Sequence, residues 1–413
     1  MKVVIIGAGI GGLTAALTLR SRGIEVTVLE QAQQLGEIGA GLQIGPNASR
    51  VLHRLGLAGD LDPIALVVEE SVRRRWATGE VLAKTTLGAS ATAQFGSPYL
   101  HLHRADLHHV LHTAAIDPAR PGPAVEVVVD SRVERIEGVD GATPVAVTTS
   151  GARFAADVVV GADGINSQVR RIVGGPTDIS YSGDMAYRTL IPGAAVRGDE
   201  ATRWLFDWPW ANFWLGENRH VVVYPVRNMK FVNVVAVVPI SDQVRSNWRA
   251  EAPADEMRAH FSGWDERLTR LLSYSDPTVM AWALNHQEPF PDWNRGHVAL
   301  LGDACHAMVP YFSQGASQAI EDGAVLAEQL AKADRGLLTV AEALRGYSER
   351  RAEHAGIVQT GALHNRALFH LPDGPDQVRR DAGFREYHKE SDVSFDWIYS
   401  GTPLEDESSM TSI

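Results

Sequence analysis

The pattern of apolar residues at the start of the chain predicts a strand, a helix and a second strand. Residues 2–6 form a short apolar run, a helical pattern follows from about Gly11 to Arg22, and Glu25–Glu30 is again largely apolar. Gly23 lies between the helix and the second strand, where a glycine commonly ends a helix. A strand, a helix and a strand in this order form a βαβ unit with parallel, buried strands. The chain is therefore predicted to begin with the first unit of a parallel sheet.

Two apolar runs later in the chain are predicted to belong to the same domain. Ala156–Val160 precedes Gly161-Ala162-Asp163-Gly164, and His297–Leu301 precedes Gly302-Asp303. Each run is followed by a stretch compatible with a helix, so both have the strand–turn–helix pattern of the first unit.

Between about Tyr181 and Trp282 the pattern changes to alternating apolar and polar residues, which predict several strands. His220–Val226 is predicted to be one of them. Another is predicted to carry four aromatic side chains on one face, at Trp204, Phe206, Trp208 and Trp210. From about Thr339 onward the pattern predicts helices that cover one side of the protein. Leu404–Ile413 is polar and is predicted to be a flexible tail.

Charge and cysteine content exclude several classes of protein. The chain has 38 Lys and Arg against 50 Asp and Glu residues, and its net charge of −12 argues against nucleic acid, which needs a basic surface. Cys305 is the single cysteine, so we expect no intramolecular disulfide and no thiolate metal site. No run of about 18 apolar residues predicts a membrane span, and Met1 is not followed by a signal-peptide pattern. We expect a cytoplasmic protein without a bound metal.

The first predicted turn carries a dinucleotide-binding motif. Gly7-Ala8-Gly9-Ile10-Gly11-Gly12 contains the pattern G-x-G-x-x-G between a strand and a helix, and Glu30 ends the second strand. In such a motif Gly7 permits the tight turn, Gly9 lets the backbone approach a pyrophosphate, and Gly12 lets helix and strand pack closely. Glu30, with Gln31 beside it, is expected to bind a ribose. An acid here repels a 2′-phosphate, so the motif predicts the adenosine half of FAD or NAD.

Three segments resemble the class A flavoprotein monooxygenases, which bind FAD. They are Asp157–Arg170, Gly302–His306 and His103-Arg104-Ala105-Asp106-Leu107. The resemblance implies that Asp303 binds the ribityl chain, although Asp303 alone is also compatible with a helix N-cap. It further implies that Asp163 lies near the pyrophosphate and the nicotinamide path, that Arg104 contacts the diphosphate side, and that Val133 meets adenine through its backbone. FAD is therefore the expected resident cofactor, with NADH or NADPH bound transiently and O₂ as co-substrate.

The predicted fold class is α/β: a Rossmann-like FAD-binding domain interrupted by a β-sheet substrate domain, with C-terminal helices, similar to p-hydroxybenzoate hydroxylase. The FAD-binding domain is predicted to comprise residues 1–72, 98–176 and 281–335. The β-rich domain is predicted to comprise residues 73–97 and 177–280, followed by a helical region at 336–403 and the tail at 404–413. A chain of 413 residues is long enough for this arrangement, since single domains rarely exceed about 300 residues.

A helix is predicted to begin near Pro310, Gln314, Gly315 and Ala316 and to run to about Lys332. Its N-terminus is expected to face the pyrimidine edge of the flavin, where reduced flavin carries negative charge. A helix N-terminus stabilises an anion by about 0.3–1 kcal/mol. Gly315 and Ala316 are also compatible with simple close packing. Gln43 lies in a glycine-rich loop, Leu35–Asn47, that is expected to pass close to the cofactor.

Two side chains of the predicted strand His220–Val226 are candidates for the chemistry of hydroxylation. His220 and Tyr224 are four residues apart, so in a strand they project from the same face. The flavin C4a-hydroperoxide of this family attacks electron-rich rings, and a phenol becomes more nucleophilic when a base removes its proton. Histidine has a pKa near neutral pH, and a tyrosine hydroxyl can orient or relay the proton. Both residues are also compatible with a structural role, since most aromatic side chains of sheets are buried in the core.

Further segments resemble one branch of the family, which includes 3-hydroxybenzoate 6-hydroxylases, salicylate hydroxylases and 6-hydroxynicotinate 3-monooxygenases. They are Gly39–Asn47, Gly183–Arg188, the pair His220 and Tyr224, and Asp396–Tyr399. The resemblance implies hydroxylation of a small phenolic or amino-substituted aromatic carboxylate, which His220 and Tyr224 orient and deprotonate. It also implies a homodimer.

Two positions differ between the members of this branch. Gln43 stands where the hydroxynicotinate enzymes have histidine and the 3-hydroxybenzoate enzymes have glutamine. Pro310 stands where the 3-hydroxybenzoate enzymes have a glutamine that faces the substrate. The substrate ring and the position of oxygen insertion therefore stay open.

Two other functions share this fold. A flavin-dependent halogenase has a W-x-W-x-I-P motif, which Trp208–Phe213 does not complete, and no lysine lies between Lys2 and Lys84. A protein that senses FAD or NAD without turnover is also compatible with the fold, because fold does not fix function.

Several remaining side chains are assigned less directly. Trp204, Trp208, Trp210 and Trp214 are expected to belong mostly to the core, with one or two reaching the substrate pocket. His306 is expected to be a structural partner of the Gly302-Asp303 turn. Arg188 and Arg219 are the candidates to bind a substrate carboxylate.

Overall fold

A computed structural model describes residues 1–36, 39–208, 210–240, 249–390 and 395–402. Two large sheets and a set of helices from the C-terminal part of the chain make up most of this structure. The predicted tail Leu404–Ile413 lies outside the described residues. No helix in the described part of the chain is both long and apolar enough to cross a membrane.

The strands in chain order are β1 (Lys2–Ile6), β2 (Glu25–Leu29), β3 (Gly41–Ile44), β4 (Leu66–Val67), β5 (Glu70–Arg75), β6 (Val81–Thr86), β7 (Leu100–His103), β8 (Glu126–Val128), β9 (Val133–Glu137), β10 (Val145–Thr148), β11 (Arg153–Ala155), β12 (Val158–Gly161), β13 (Ser180–Pro192), β14 (Ala211–Gly216), β15 (Arg219–Val226), β16 (Phe231–Pro239), β17 (Arg249–Pro253), β18 (Thr278–His286), β19 (Asn294–Arg295) and β20 (Val298–Leu300).

The α-helices in chain order are α1 (Ile10–Arg20), α2 (Pro46–Arg54), α3 (Ala58–Leu61), α4 (Gly88–Phe95), α5 (Arg104–Ile116), α6 (Gln168–Val173), α7 (Gly193–Arg197), α8 (Trp204–Asp207), α9 (Ala254–Ala259), α10 (Glu266–Leu272), α11 (Asp303–His306), α12 (Gly315–Asp334), α13 (Val340–Phe369), α14 (Pro375–Glu390) and α15 (Asp396–Tyr399). A 3₁₀ turn covers Pro310–Phe312.

The first sheet has the strand order β19-β20-β12-β1-β2-β8. β1 pairs in parallel with β2 and with β12, so Val3 lies between Val26 and Val158. β20 continues the parallel part of the sheet beside β12, and the two-residue strand β19 pairs antiparallel at the edge. The central strands are almost wholly apolar because helices cover both faces of a parallel sheet. The predicted βαβ unit and the two later strands are therefore confirmed, with ends shifted by one or two residues.

Helix α1 packs closely against α12. A side chain at Gly323 of α12 would place its Cβ 2.9 Å from the backbone nitrogen of Ala15, so only glycine permits this approach. Within α1, the buried hydroxyls of Thr14 and Thr18 donate to the carbonyls of Ile10 and Thr14, at 2.8 and 2.6 Å. The polar groups of α1 are thereby satisfied, so the helix can be buried on nearly all sides.

The second sheet has the order β17-β18-β13-β16-β15-β14-β5-β6, and its neighbours are antiparallel except β14 and β5. Its outer strands run slightly past the predicted β-rich ranges, since β5 begins at Glu70 and β18 ends at His286. One face buries Val221 and Val223 against α9 and α10. The other face carries His220 and Tyr224, because successive strand residues alternate between faces.

The predicted strand with four aromatic residues on one face is wrong. Trp204–Asp207 forms the short helix α8, and the Trp208 side chain is 55% exposed. The spacing of two between Trp204 and Phe206 therefore does not reflect a strand, because both residues lie in this helix. Trp214, which the sequence assigns to the core, lies on β14 and is fully buried, and its Nε1–H donates to Asp265 at 2.8 Å.

Helix α13 begins where the sequence predicts a helical region. Thr339 is its N-cap: the Thr339 hydroxyl accepts from the backbone N–H of Glu342, and the Glu342 carboxylate accepts from the Thr339 N–H at 2.7 Å. This reciprocal capping box satisfies two backbone donors that a helix start leaves open. The helix then runs for 30 residues and packs against α12 and, toward its C-terminal end, against apolar side chains of the second sheet.

A buried guanidinium joins α13 to α12. Arg351 is fully buried, and its Nε donates to Asp322 at 2.7 Å, while its Nη1 lies 3.1 Å from the carboxylate of Glu321. Its Nη2 donates to the side-chain oxygen of Gln318 at 2.7 Å, and its Nη1 also reaches Thr402 at 2.6 Å. One side chain therefore fixes α12, α13 and the segment after α15 to each other.

Arg351→Met is expected to lower the free energy of unfolding by about 3–5 kcal/mol, because it leaves two buried carboxylates without their cation. Urea denaturation followed by circular dichroism measures this change. Arg345→Met, at an exposed position of the same helix, is the matched control and should change stability by less than about 0.5 kcal/mol. Equal midpoints for Arg351→Met and the unchanged protein would contradict the assigned role.

Candidate active site

The glycines of the first turn divide into two groups. Gly7 has a φ of 108°, and a Cβ there would lie 2.4 Å from the carbonyl oxygen of Ala162. A Cβ at Gly12 would lie 2.1 Å from the carbonyl oxygen of Gly7. These two glycines are required by the protein's own packing. A Cβ at Gly9 would meet no atom of the described residues within 4 Å, so Gly9 presents open backbone.

The separated segments of the sequence motifs converge on this turn. A Cβ at Gly11 would meet Leu301 and Ala319, so Gly11 serves the contact of α1 with β20 and α12. The carbonyl of Ala8 lies 2.7 Å from Nε2 of His108 on α5, the helix that begins with Arg104. Because a Cβ at Gly7 would also meet Ala162, the first glycine turn lies together with the segments before Asp163 and Asp303 and with α5.

The acid at the end of β2 is held beside the same turn. The Glu30 carboxylate accepts from the backbone N–H groups of Ala8 and Ala32, each at 2.8 Å. Gln31 is exposed next to it. This geometry places a carboxylate at the position where dinucleotide-binding folds hold a ribose.

The two motif aspartates have different surroundings. Asp163 accepts from the Ser167 hydroxyl at 2.5 Å and from the backbone N–H of Gln168 at 2.7 Å, so it holds the start of α6. Asp303 is exposed and makes no hydrogen bond within the described part of the chain. The N-cap of α11 is Gly302, with φ 65° and ψ −140°. Asp303 is therefore not the helix cap, and its carboxylate is available to a ligand.

The buried carboxylate of Asp322 binds the backbone of the Gly302-Asp303 turn. Asp322 accepts from the Gly302 N–H at 2.9 Å and lies 2.6 Å from Nε2 of His306. Burial alone would raise the pKa of Asp322, but His306 and Arg351 lower it to about 2. The carboxylate is therefore ionised, and His306 acts as a structural partner of the turn.

Helix α12 begins without a side-chain cap. Gln314 is its N-cap residue, and Gly315 and Ala316 follow, both half-buried. The side-chain oxygen of Gln314 accepts instead from Asn47 at 3.1 Å. The first backbone N–H groups of α12 are therefore left for a ligand, and they lie at the positive end of the helix dipole.

Arg104 and Val133 occupy positions compatible with their predicted roles. Arg104 is the first residue of α5, and its backbone N–H donates to the carbonyl of Ala40 at 3.0 Å. Val133 begins β9 and is buried, at 9% exposure. Together with the open Gly9 backbone and the Asp303 carboxylate, these features fit an extended dinucleotide such as FAD.

Several buried polar atoms without partners in the described residues lie around Tyr224, on the second sheet and on β7 beside it. They include both ring nitrogens of His101, Nδ2 of Asn233 and Nε of Arg188. Tyr224 lies among them, with its ring 4.4 Å from that of His101. Burying polar atoms without hydrogen bonds costs about 1–3 kcal/mol each, so unsatisfied groups often mark a place where a ligand supplies the partner.

Burial shifts the pKa values of His101 and Tyr224 in the direction that disfavours their charged forms. It lowers the pKa of His101 to about 3, and it raises the pKa of Tyr224 although Arg188 and Gln43 act in the opposite direction. His101 is therefore neutral and Tyr224 protonated at neutral pH. Gly41 of β3 lies directly against Tyr224 and Asn233, and its N–H donates to Asn233 Oδ1 at 2.7 Å.

His220 lies on the same face as Tyr224 but has other neighbours. Its ring centroid is 5.1 Å from that of Tyr311 and 5.5 Å from that of Phe369, and its Nδ1 lies 2.9 Å from Nε2 of His370. Burial, and then His370, lower the pKa of His220 well below its ordinary value of 6.5. His220 is therefore neutral at pH 7 and can accept a proton.

A cavity of about 50 Å³ lies beside the rings of Tyr311 and Phe369. Polar side chains from three strands reach it, namely Gln43, Arg73, Thr85 and, next to β7, Tyr99. Its aromatic walls include Tyr311, Phe312, Phe369 and Tyr399. None of Trp204, Trp208, Trp210 and Trp214 lines it, so the expectation that one or two tryptophans reach a pocket does not hold for this cavity. His220 and Tyr224 do not line it either, but the His220 ring packs against Tyr311 and Phe369, which do.

The chain is similar to known proteins over most of its length. Residues 1–361 match the family model described as FAD binding domain. A 3-amino-4-hydroxybenzoate 2-monooxygenase of Streptomyces platensis, PtnB3, is 38% identical over 96% of this chain and 95% of its own length. The 6-hydroxynicotinate 3-monooxygenase of Pseudomonas fluorescens is 34% identical over 87% of this chain and 89% of its own. The crystal structure of Klebsiella pneumoniae HpxO with FAD and uric acid has 27% identity and a TM-score of 0.81 over 97% of each chain.

The chain belongs to the FAD binding domain family. It is a flavoprotein monooxygenase of the aromatic-hydroxylase class, with FAD as its cofactor, NAD(P)H as reductant and O₂ as co-substrate. The resemblance to class A flavoprotein monooxygenases and the fold class expected from it are thereby confirmed.

Three residues near the candidate site carry no sequence pattern that points to a function. Arg73 lies on β5, within a run of arginines that carries no motif. Asp184 and His370 are 186 positions apart and meet only because β13 and the end of α13 are neighbours in space. The buried charge of Asp184 lies within the segment Gly183–Arg188, which was noted for its resemblance and not for an acid.

Gly9→Ala and Gly12→Ala are expected to behave differently. Gly9→Ala should leave the melting temperature nearly unchanged and weaken FAD binding by about tenfold or more, or ~1.4 kcal/mol, because the added methyl lies on the open backbone. Gly12→Ala should lower the melting temperature, because its Cβ overlaps the Gly7 carbonyl. Thermal unfolding of the apoprotein and FAD titration measure the two effects. Unchanged FAD affinity in Gly9→Ala would show that the cofactor lies elsewhere.

Proposed function

We propose that this protein hydroxylates a small aromatic carboxylate that carries a phenol or amino group. The named relatives act on aminohydroxybenzoate and hydroxynicotinate, and this chain has a buried histidine and tyrosine on the sheet face that turns toward the FAD-binding segments. The observation that carries the proposal is the neutral His220 whose Nε2 has no hydrogen-bond partner in the described structure. Bound FAD would take a hydride from NAD(P)H and activate O₂ to supply an electrophilic oxygen.

His220 is proposed to accept the proton of the substrate hydroxyl. A phenol that shares or loses its proton donates more electron density to its ring, so attack by an electrophilic oxygen becomes easier. General-base catalysis of this kind contributes about 10²–10⁴-fold. Tyr224, which burial keeps protonated, is proposed to donate a hydrogen bond that orients the substrate.

Arg73 is proposed to bind the substrate carboxylate. It reaches the cavity, and its Nη1 lies 3.3 Å from the Thr85 hydroxyl. Arg219, a sequence candidate, instead donates to the carbonyl of His260 at 2.6 Å, and Arg188 stacks on Trp282 with a separation of 4.6 Å. Of these three arginines, Arg73 is the one that lines the cavity.

The remaining assignments complete the proposal. Glu30 and Gln31 bind the adenosine ribose of FAD, Arg104 and Asp163 lie near its diphosphate, Asp303 binds the ribityl chain, and Gly315 and Ala316 face the flavin ring beside Gln43. The enzyme is proposed to be cytoplasmic, which agrees with the single, buried thiol of Cys305, and to form a homodimer.

The purified enzyme with FAD is expected to oxidise NADH faster when a suitable hydroxy- or aminobenzoate is added, and to form a product that contains one more oxygen. His220→Gln should bind FAD normally and lose hydroxylation by about 10²-fold or more. Because the pKa of His220 is lowered, its base form persists as the pH falls from 8 to 6.5, so the rate of the wild-type enzyme should change little over this range. Spectrophotometry and mass spectrometry of the product measure these effects.

His260→Gln is the matched control for His220→Gln, since His260 lies near Tyr187 on the opposite face of the sheet. It should retain full hydroxylation. A protein that binds FAD but never oxidises NADH with any aromatic acid would favour the alternative of a sensor without turnover. A His220→Gln enzyme with undiminished hydroxylation would refute the assigned base.

Arg73→Gln is expected to raise the KM for a carboxylate substrate by about tenfold or more, equivalent to ~1.4 kcal/mol, with a smaller change in kcat. The corresponding phenol without a carboxylate should be used equally well by both enzymes. Arg75→Gln is the control, because Arg75 lies on the same strand and pairs with Asp373 outside the cavity. Parallel loss for both substrates would mean that Arg73 does not bind the carboxylate.

A further inference from the structure

The two ring nitrogens of His220 are in different situations. Nδ1 lies 2.9 Å from Nε2 of His370, which is a hydrogen-bond distance, so one of these two atoms carries a proton. Nε2 of His220 has no hydrogen-bond partner among the residues that the structure describes. Nε2 is therefore the atom that can meet a substrate hydroxyl, and Nδ1 is the atom that connects His220 to the rest of the protein.

The surroundings of His220 cannot keep a positive charge. The side chain is 3% exposed and packs against the rings of Tyr311 and Phe369. No carboxylate in the described structure contacts it directly. A buried cation without a counter-ion is costly, so a proton taken up at Nε2 must be accompanied by the departure of another from Nδ1.

A buried carboxylate stands on the far side of His370. Asp184 is fully buried, and its Oδ2 lies 3.9 Å from Nδ1 of His370. Arg366 binds Asp184 through two nitrogens, with Nη2 at 2.9 Å from Oδ1, and the hydroxyl of Tyr311 donates to the same carboxylate. The Arg366 side chain is 35% exposed, so this chain of contacts reaches from the buried histidine to solvent.

We propose that His370 is a positioning residue that passes the substrate proton from His220 toward Asp184 and Arg366. The inference rests on the proposed role of His220 as the base. Burial, Arg366 and Arg219 lower the pKa of His370 to about 4, while Asp184 acts in the opposite direction. The neutral form of His370 is therefore favoured, which suits a residue that passes a proton on.

The transfer balances without an oxidant or reductant. The O–H bond of the substrate breaks and an N–H bond forms at Nε2 of His220, while the N–H bond at Nδ1 breaks and one forms at Nε2 of His370. The N–H bond at Nδ1 of His370 then breaks and an O–H bond forms at the carboxylate of Asp184, which faces it, before this proton is released at the exposed side of Arg366. The aryl oxide stays in the site, one proton reaches solvent, and both histidines have exchanged tautomers.

Stopped-flow absorbance tests this inference in the FAD-loaded enzyme without NADH, so that no hydroxylation occurs. 3-Amino-4-hydroxybenzoate serves as the probe, because its phenolate absorbs at longer wavelength than the phenol. His370→Gln keeps a hydrogen-bonding amide but cannot pass a proton, so phenolate formation should slow by about tenfold or more. The dissociation constant of the probe should change by less than about threefold. In His370→Ala, added imidazole should restore the rate, which a purely structural defect would not allow.

His364→Gln is the control, since His364 is exposed on the same helix. An unchanged rate of phenolate formation in His370→Gln, or no rescue of His370→Ala by imidazole, would overturn the inference. Two other results would refute the proposed role of His220 as the base: undiminished phenolate formation in His220→Gln, or no phenolate formation in the wild-type enzyme. Either result would also overturn the proposed role of His370. If the His370 variants do not fold, the wild-type rate in H₂O/D₂O mixtures decides. The relay moves more than one proton and predicts a curved dependence of the rate on deuterium content, whereas a single proton in motion gives a straight line.

Discussion

The ionised carboxylate of Asp322 is the contact on which the cofactor side of this structure depends. It holds the Gly302 backbone, His306 and Arg351 at once, and thereby ties the turn after β20 to α12 and α13. The turn exposes Asp303 only because Gly302 adopts a backbone conformation that other residues rarely reach. A buried charge of this kind is costly unless every partner is present, so the position of the exposed carboxylate is coupled to the packing of two long helices.

The second sheet connects fold and chemistry through the alternation of β15. Val221 and Val223 are buried against α9 and α10, and this burial fixes which face His220 and Tyr224 occupy. A shift of one residue in register would move all four side chains to the wrong side. The apolar core of the β-sheet domain therefore aims the two polar side chains, and the neutral state of His220 follows from the same burial.

The elements and motifs of the FAD-binding part could be predicted from the sequence because strand, glycine turn and helix are local patterns. The face of His220 and Tyr224 could also be predicted, since a spacing of four is enough in a strand. The helix at Trp204 was missed because alternation over a few residues does not separate a strand from a turn. Arg73 and His370 could not be found, because their roles arise from contacts between distant strands and helices that no local pattern encodes.

The most direct test of this account is a crystal structure of the enzyme with FAD and a bound hydroxybenzoate. The account predicts that the substrate hydroxyl lies about 2.6–3.2 Å from Nε2 of His220, a hydrogen-bond distance, with the ring between that nitrogen and the flavin. A substrate hydroxyl that lies far from His220 and meets another polar side chain next to the flavin would contradict it.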